Sequence, residues 1–502
     1  MDATVVGHRL STLPVGDEHP YRSGPWRPQD KEWDAENLDV TGDLPADLEG
    51  VYLRNTENPL RESIKRYHPF DGDGMVHAVV FRGGRASYRN RFVLTDGLLA
   101  EEEAGEALWA GIAENPRLSK RDGGWGARGR MKDASSTDVV VHAGVALTSF
   151  WQCGDMYELD PITLGQRGKA AWGGLFPADR GVSAHARVDE LTGELMFFNY
   201  STAPPYLHYG IVGRDRRVAH YVPIELPGPR LPHDLAFTEH YTVLNDLPLF
   251  WDEQLVHQGV YASRFHPDLP SRFGIVPRRG DSEDVTWFEA EPTYVLHWAN
   301  AYEDGDEVVL DGFFQSNPEP APPDGGAPSG GPPDRMFRFL AADVLGARLH
   351  RWRFNLLTGD TREEDLSDRT TEFGMINGRH RGRRSRYVYA TTNPAGWFLM
   401  DGVIKHDTVT GTVDEYRFPA GVFCSETAMA PRVGGVDEDD GYLVTIAMDV
   451  NADRSYCAVF DAGDVSAGPV ATVALPERVC SGTHSFWAAA PDLPGWELLE
   501  AG

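Results

Sequence analysis

The sequence predicts an all-β protein whose sheets close into a propeller or a barrel, and three observations support this fold class. Short runs rich in Val, Tyr, Phe and Thr alternate along the chain with Gly, Pro, Asp and Asn, as strands alternate with turns. The 502 residues include 53 Gly and 35 Pro, which suits many tight turns. Stretches with helical periodicity are scarce. Because so many short strands would otherwise expose their edges, a closed architecture is favoured.

Individual segments show the strand, turn, strand pattern in chain order. They cover residues 74–95, 193–202, 240–250, 386–400, 441–450 and 455–464. Residues 293–314 predict a further hairpin, in which an apolar run ends at His297 and the acidic turn YEDGDE leads into a second apolar run. The best helical pattern covers residues 96–115. No regular propeller repeat is visible, so any blades have diverged in sequence.

One segment differs in composition from the rest of the chain. Residues 317–334, NPEPAPPDGGAPSGGPPD, contain almost only Pro, Gly, Ala and acidic residues, which cannot pack into a core. Because strand patterns flank it on both sides, we expect a disordered surface loop; the alternative is a linker between domains. A large all-β architecture can absorb the whole chain, so residues 1–502 are expected to form a single domain.

Charge and cysteine content restrict the class of partner and the compartment. The formal net charge of −29 argues against a nucleic-acid partner, since the basic cluster at residues 378–386 is short and reads as a solvated turn. The four cysteines match no metal-binding spacing. The N-terminus lacks the apolar run of a secretory signal, and no run of 18 apolar residues occurs. These features predict free thiols and a cytoplasmic protein.

Four of the 17 histidines share a context. His185, His233, His297 and His484 each lie at or near the edge of a strand-like run, in four different parts of the chain. Residues so far apart can meet only if their strands radiate about a common axis, as the inner strands of a propeller do. Imidazole suits Zn, Cu, Fe and Ni, and carboxylates behind the rings would then be expected to orient them.

Several motifs resemble those of the carotenoid cleavage oxygenase family, which includes apocarotenoid oxygenases, stilbene (lignostilbene) dioxygenases and the retinoid isomerase. They are VYLRNTENP, RYHPFDGDGMVHAVVF, ASYRNRFV, LPHDLAFTEHY, HWANAYEDGDEVVLDG and RRSRYVYA. The resemblance extends from about Pro20 to about Trp487. It implies a single seven-bladed β-propeller domain under a dome of loops and short helices. It also implies one Fe(II) per chain on the axis, with His185, His233, His297 and His484 as ligands.

The resemblance further implies three glutamates that hydrogen-bond to ligand histidines. Two match residues of this chain, Glu372 and Glu426. The third position is occupied by Gln152 in SFWQCGDMYELDP. A glutamine carbonyl can accept a bond from an imidazole N–H but supplies no charge, so the iron would be slightly more electron-poor. His77 closes a motif typical of the family and is interpreted as structural.

The segment RMKDASSTDVVVHAGVALTSFWQCGDMYELDP resembles the stilbene-cleaving branch. Lys132 occupies the position of a lysine that contacts the phenolic hydroxyl of stilbenes, where a cation would favour the phenolate; the alternative is an ordinary exposed lysine. The tyrosine that shares this contact in stilbene enzymes is replaced by Leu98 or Leu99. The end of the pocket is therefore expected to suit a more apolar group, such as an apocarotenoid or isoeugenol.

The expected function is O₂-dependent cleavage of one conjugated C=C bond of an apocarotenoid, stilbene or phenylpropene into two carbonyl products. Two alternatives remain open: isomerohydrolase activity on a retinoid-like substrate, and a non-catalytic propeller that binds small molecules. Residues 202–212 and 245–256 are candidates for an apolar membrane-docking patch. Burial in the core explains these residues more simply, so membrane association is possible but not favoured.

Overall fold

The computed structural model describes residues 1–112, 114–124, 129–258, 263–319 and 342–499. Most of the predicted loop at 317–334 therefore lies outside the described residues. Seven sheets of four to six strands form the blades of a β-propeller, and a separate two-stranded ribbon lies beside them. The all-β, seven-bladed prediction is confirmed.

The first blade combines both ends of the described chain. With strands numbered in chain order, its members in spatial order are β1 (Asp2–His8), β2 (Lys31–Glu36), β6 (Arg85–Phe92), β5 (Asp73–Arg82), β4 (Gly50–Asn58) and β34 (Ser485–Ala489).

Blades two to six contain four antiparallel strands each. The second blade has β7 (Asp138–His142), β8 (Val145–Ser149), β9 (Tyr157–Leu159) and β10 (Gln166–Lys169). The third has β11 (Arg187–Asp189), β12 (Glu194–Tyr200), β13 (Tyr206–Val212) and β14 (Val218–Glu225). The fourth has β15 (Ala236–Phe237), β16 (Tyr241–Asp246), β19 (Ser271–Pro277) and β20 (Thr286–Ala290); the ribbon β17 (Leu249–Trp251) and β18 (Ser263–Phe265) is inserted within it.

The fifth blade has β21 (Trp298–Asp304), β22 (Glu307–Gln315), β23 (Ala347–Asn355) and β24 (Thr361–Thr370). The sixth has β25 (Glu372–Met375), β26 (Tyr387–Thr392), β27 (Gly402–Asp407) and β28 (Val413–Arg417). The seventh has β29 (Val422–Phe423), β30 (Ala428–Pro431), β31 (Gly441–Asp449), β32 (Arg454–Asp461), β33 (Pro469–Ala474) and β3 (Val40–Gly42).

Two strand pairings close the ring. Near the C-terminus, β34 pairs with β4, with Ser485 opposite Arg54. Near the N-terminus, β3 pairs with β33, with Val40 opposite Val473. Because each pairing joins distant parts of the chain within one sheet, opening the ring would require breaking both sets of backbone hydrogen bonds.

Apolar side chains fill the spaces between neighbouring blades. Between the fourth and fifth blades, Phe273 of β19 lies against Trp352 and Phe354 of β23, with ring centroids 5.5 and 5.0 Å apart. All three side chains are completely buried. Each such side chain contributes about 1.5–3 kcal/mol of hydrophobic stabilisation. The apolar packing between neighbouring blades thus fixes the positions of the inner strands around the axis.

Helices are few and short in the described part of the chain. The α-helices are α1 (Asp96–Ala104), α2 (Glu253–His257) and α3 (Ala342–Leu345). The 3-10 turns are Gly24–Trp26, Pro69–Asp71, Pro116–Leu118, Trp172–Gly174, Ser282–Asp284, Gly378–His380, Val465–Ala467, Ala490–Asp492 and Trp496–Leu498.

Helix α1 is shorter than the predicted 96–115. Thr95 caps its N-terminus by accepting from the Leu98 amide, and it ends at Gly105, whose φ of 71° lies in the left-handed region. Glycine adopts this conformation without a Cβ clash, so the backbone leaves the helix there. The apolar periodicity beyond Gly105 belongs to loop residues.

Strand alternation places the long connections at one end of the propeller. The innermost strands of the blades begin at this end, and the connections 59–72, 93–137 and 247–270 leave from it, carrying α1, α2 and the ribbon. The described residues of these connections form the expected dome of loops and short helices. Any residue just before an innermost strand therefore faces the dome.

The two candidate membrane-docking segments are partly buried in the core. Residues 202–212 include β13, in which Leu207, Tyr209 and Ile211 are at most 1% exposed. Leu247 and Trp251 of the 245–256 segment are 4% exposed. Among the described residues, every helix is too short or too polar to cross a bilayer.

Candidate metal centre and substrate cavity

Four histidines stand at the starts of innermost strands. His297 and His484 immediately precede β21 and β34, while His185 and His233 lie two and three residues ahead of β11 and β15. Each offers one ligand nitrogen, and these four nitrogens all lie within 4.8 Å of one another. The rings are at most 8% exposed. The propeller thus brings together the four residues singled out in the sequence.

The local structure around His297 differs from the predicted hairpin. The apolar run before His297 is not a strand; β21 begins after it and pairs with β22 through the turn at Gly305 and Asp306. The histidine therefore enters an inner strand rather than ending one. The acidic turn lies at the opposite end of β21, because the hairpin reverses there.

Carboxylates lie behind three of the four rings. His297 Nδ1 is 2.6 Å from Glu372 Oε2, His484 Nδ1 is 3.4 Å from Glu426 Oε1, and His185 Nδ1 is 2.8 Å from Asp138 Oδ2. An ionised carboxylate is acceptor-only, so wherever the carboxylate is ionised the Nδ1 facing it carries the proton and donates it. Each Nε2 is then left with a free lone pair. This tautomer is the one needed for metal binding through Nε2.

The inward nitrogens lack protein donors that would satisfy them. His185 Nε2 and His233 Nε2 face each other at 3.2 Å, and His297 Nε2 is buried without a hydrogen-bond partner among the described residues. Unpartnered buried acceptors are costly in an apolar interior. A cation at their centre would satisfy all of them, so the residues present fit a metal ion bound by neutral imidazoles.

The pKa values of three of the four rings favour the neutral form. Burial, together with the neighbouring histidines, holds the pKa values of His185 and His233 well below the ordinary value. Burial lowers the pKa of His297 to about 3. For His484, burial acts in the same direction, but Glu426 outweighs it and raises the pKa. Three of the four imidazoles are thus neutral near pH 7 and can bind a cation without first losing a proton.

The pKa values of the three carboxyl groups shift in different directions. Burial raises the pKa of Glu372 to about 8 and that of Asp138 to about 7. For Glu426, burial is outweighed by His484, and the pKa falls below its ordinary value. A divalent cation on the far side of the imidazoles would favour the ionised form of all three groups, since opposite charges attract.

Glu372 and Glu426 lie against ring nitrogens, whereas Gln152 does not contact any of the four rings by a hydrogen bond among the described residues. Gln152 is 2% exposed, and its Oε1 has no hydrogen-bond partner among the described residues. Asp138, which bonds to His185, was not identified from the sequence. The sequence does show an acidic residue directly before the apolar run Val139–Val141, and Asp138 is buried in the structure.

Aromatic rings extend from the metal centre into the dome. The ring centroid of Phe373 lies 4.8 Å from that of His297 and 6.1 Å from that of Phe398. Phe398 in turn lies 5.5 Å from Phe70, and Phe70 lies 6.4 Å from Trp151. Phe373 has a φ of 58°, an uncommon value for a bulky residue. Its amide donates to Glu372 Oε2 at 2.7 Å, which holds it there. The dome side of the centre is therefore apolar and aromatic.

Lys132 lies at a cavity of about 40 Å³ under α1. Its Nζ is 2.8 Å from Asp73 Oδ1 and 2.8 Å from Glu101 Oε2, and its side chain is 13% exposed. It is therefore not an ordinary exposed lysine. Leu98 is fully buried against Leu60, Met75 and Phe92, while Leu99 is 45% exposed.

His77 is structural, as expected. It is buried, with Nδ1 2.8 Å from the Tyr88 hydroxyl and Nε2 3.2 Å from the Thr56 hydroxyl. Both ring nitrogens are thus engaged by side chains of neighbouring strands in the first blade. No lone pair remains for a metal ion.

Comparisons with known proteins agree with this geometry. The family model described as retinal pigment epithelial membrane protein matches residues 26–489. Carotenoid 9,10(9',10')-cleavage dioxygenase 1 of Phaseolus vulgaris is 33% identical, over 96% of this chain and 91% of the relative.

Solved structures are similar over nearly the whole chain. The lignostilbene dioxygenase of Pseudomonas brassicacearum superposes with a TM-score of 0.81 at 26% identity, covering 95% of this chain and 100% of the other. The cobalt-substituted apocarotenoid oxygenase of Synechocystis gives 0.80 at 27% identity, covering 93% and 98%. With its family-model match, its relatives and its four-histidine propeller axis, the chain belongs to the carotenoid cleavage oxygenase family.

Proposed function

We propose that this protein is a non-haem Fe(II)-dependent dioxygenase that cleaves a conjugated C=C bond of an apocarotenoid, a stilbene or a phenylpropene. The products are two carbonyl compounds. The observation that carries the proposal is the cluster of four histidine nitrogens within 4.8 Å on the propeller axis. Its aromatic surroundings suit an apolar, conjugated substrate.

His185, His233, His297 and His484 are proposed to hold one Fe(II) through Nε2. When bound, iron would supply the redox chemistry by which O₂ reacts with the alkene. An imidazole set with no carboxylate ligand fits iron among the metals that imidazole prefers. Cytoplasmic iron in the ferrous state also agrees with the four buried, unpaired cysteines, which suit a reducing compartment.

Glu372, Glu426 and Asp138 are proposed to orient the ligand rings. By accepting a hydrogen bond from Nδ1–H, each carboxylate keeps its ring in one tautomer and raises the basicity of the opposite nitrogen, Nε2. Gln152 is proposed as the uncharged counterpart of a further carboxylate. A glutamate at position 152 would have made four carboxylates near the rings, and Gln152 leaves three. Three negative charges still exceed the two positive charges of the metal ion.

The rest of the chain binds and orients the substrate. Phe373, Phe398, Phe70 and Trp151 present ring faces and edges along which a planar polyene or stilbene can lie. Their apolar surface excludes water from the reacting double bond. Lys132 lies beside the cavity under α1 and is proposed to contact the end group of the substrate.

Two other functions can be separated from this one experimentally. An isomerohydrolase would convert its substrate without consuming O₂. A non-catalytic propeller would have no need for four converging imidazoles, and it would consume no O₂ in the presence of iron.

The test is anaerobic reconstitution of the purified protein with Fe(II), followed by a panel of apocarotenals, hydroxystilbenes and isoeugenol. We expect one iron per chain, iron-dependent O₂ uptake and two carbonyl products by mass. His297→Ala should abolish both iron retention and O₂ uptake. The matched control is His240→Ala, because His240 forms an exposed pair with Glu303 outside the site. Full activity in His297→Ala would overturn the proposal.

A further inference from the structure

An ion pair lies immediately after two of the ligand histidines. Arg187 follows His185 by two residues, and Asp234 directly follows His233. Arg187 Nε donates to Asp234 Oδ1 at 2.9 Å, and Nη2 of the same guanidinium group donates to Oδ2. The Asp234 side chain is completely buried. This two-point contact joins the third blade to the fourth within two residues of a ligand on each side.

Asp234 also binds the segment that carries a third ligand. Its Oδ2 accepts from the backbone amide of Trp298 at 3.0 Å, and Trp298 directly follows His297. The indole Nε1 of Trp298 donates to the Asp234 carbonyl oxygen at 3.3 Å. Asp234 Oδ1 accepts in addition from the amide of Leu235 at 2.7 Å, which orients the carboxylate on its own segment. One carboxylate thus connects the third, fourth and fifth blades.

The segment of the fourth ligand is held by a different carboxylate. Ser485 directly follows His484, and its amide donates to Glu426 Oε2 at 2.7 Å. Glu426 also faces the ring of His484. Asp234 differs from Glu426, because within the described part of the chain its side chain bonds to backbone amides and to Arg187 and to none of the four rings. Its contacts therefore fix where the ligand segments lie and leave the ring tautomers to other carboxylates.

The donors around the Asp234 carboxylate use its full acceptor capacity. An ionised carboxylate has about four lone-pair sites. Arg187 supplies two donors, and the amides of Leu235 and Trp298 supply one each. Asparagine at this position would turn an NH₂ group toward some of these donors. Lysine at position 187 would keep the positive charge but lose the planar fork that holds both oxygens.

We propose that Asp234 and Arg187 are positioning residues that set the spacing of His185, His233 and His297 around the metal ion. The inference rests on the proposed function, since it concerns the same metal centre. Neither residue is proposed to touch the metal ion or the substrate. Without the pair, the three ligand segments would be free to shift against one another, which would weaken metal binding and change the geometry of the bound ion.

The fifth blade contains a matched ion pair that can serve as a control. Arg351 Nε and Nη2 each lie 2.8 Å from an oxygen of Asp311, and the Asp311 side chain is completely buried. The two residues lie opposite each other on β22 and β23. This pair has the same two-point geometry and a carboxylate buried to the same degree, but it joins two neighbouring strands of one blade. Its loss should therefore destabilise the fold without moving ligands.

The test compares Arg187→Lys, Asp234→Asn and the double variant with Arg351→Lys and Asp311→Asn. The readouts are Co(II) affinity by competition with a chelator, the visible absorbance spectrum of bound Co(II), and urea unfolding of the metal-free protein. We expect Arg187→Lys and Asp234→Asn each to weaken Co(II) binding by at least about tenfold and to change the spectrum. The double variant should bind no more weakly than the weaker single variant, because the two residues act as a unit. The control variants should lose stability but keep wild-type affinity and spectrum.

Wild-type Co(II) affinity and spectrum in folded Arg187→Lys would overturn the inference. Should Asp234→Asn fail to fold, Arg187→Lys decides alone, since it keeps the charge. Equal losses of affinity in Arg187→Lys and Arg351→Lys would also overturn it, because the effect would then follow stability rather than ligand position. None of these results bears on iron-dependent O₂ uptake by wild type. Absent O₂ uptake together with weakened Co(II) binding in Arg187→Lys would refute the dioxygenase function and support the positioning pair.

Discussion

Replacing Glu372 tests the link between the carboxylates and metal binding. His297 Nδ1 lies 2.6 Å from Glu372 Oε2, which also accepts from the Phe373 amide at 2.7 Å. The His297 and Glu372 side chains are 5% and 3% exposed. The pair is therefore shielded from bulk solvent. The substitutions Glu372→Gln and Glu372→Ala separate the loss of charge from the loss of the acceptor.

The magnitude follows from the hydrogen bond that is lost. A bond to a charged acceptor contributes about 1.5–3 kcal/mol, against about 0.5–1.5 kcal/mol for a neutral one. Glu372→Gln should therefore weaken metal binding by about 1–1.5 kcal/mol, which is roughly fivefold to tenfold. Glu372→Ala also leaves the His297 N–H buried without an acceptor, so we expect about 10- to 100-fold weaker binding.

The assay is competition between the apo-protein and a chelator of known affinity, with Co(II) absorbance and Fe(II) as parallel readouts. Glu303→Gln is the matched control, because Glu303 accepts from the exposed His240 at 2.9 Å and lies outside the centre. Unfolding curves establish that each variant is folded. If Glu372→Ala retains wild-type metal affinity while folded, the assignment of Glu372 to the metal centre is wrong.

Three further outcomes are expected. Asp138→Asn should weaken metal binding by about 10-fold in the same assay, because His185 Nδ1 loses its charged acceptor at 2.8 Å; unchanged affinity would exclude Asp138 from the centre. Gly97→Ala should destabilise the fold by about 1–3 kcal/mol in urea unfolding, since a Cβ there would lie 2.5 Å from Lys132 Cγ, and a gain in stability would contradict this. Burial opposes the charged form of His350, but two carboxylates of β24 outweigh it and raise the pKa. The stabilisation from these charge interactions of His350 is fully present below the unfolded-state pKa of about 6.5, and it is lost as the pH rises through the higher folded-state pKa. His350→Gln should therefore cost more stability near pH 6 than near pH 9. Equal losses at both pH values would refute it.

Much of the architecture and of the metal centre could be predicted from local patterns. Strand runs and turn residues identify an all-β chain because their spacing depends only on neighbours in sequence. The histidines at residues 185, 233, 297 and 484 could be singled out for the same reason, since each lies beside an apolar run. Motif resemblance then supplied the blade number and the expected roles of Glu372 and Glu426, which no local pattern contains.

Tertiary structure alone decided which side chains meet. Asp138 contacts His185 across 47 residues of chain, and Lys132 meets Glu101 across 31, because blade closure and the packing of α1 bring those segments together. The charge balance around Lys132 therefore could not be read from its sequence neighbours. Residue order by itself determined the all-β class, most of the strand regions and the candidate ligands. The closed ring of blades decided their partners, since electrostatic contacts depend on distance in space rather than along the chain.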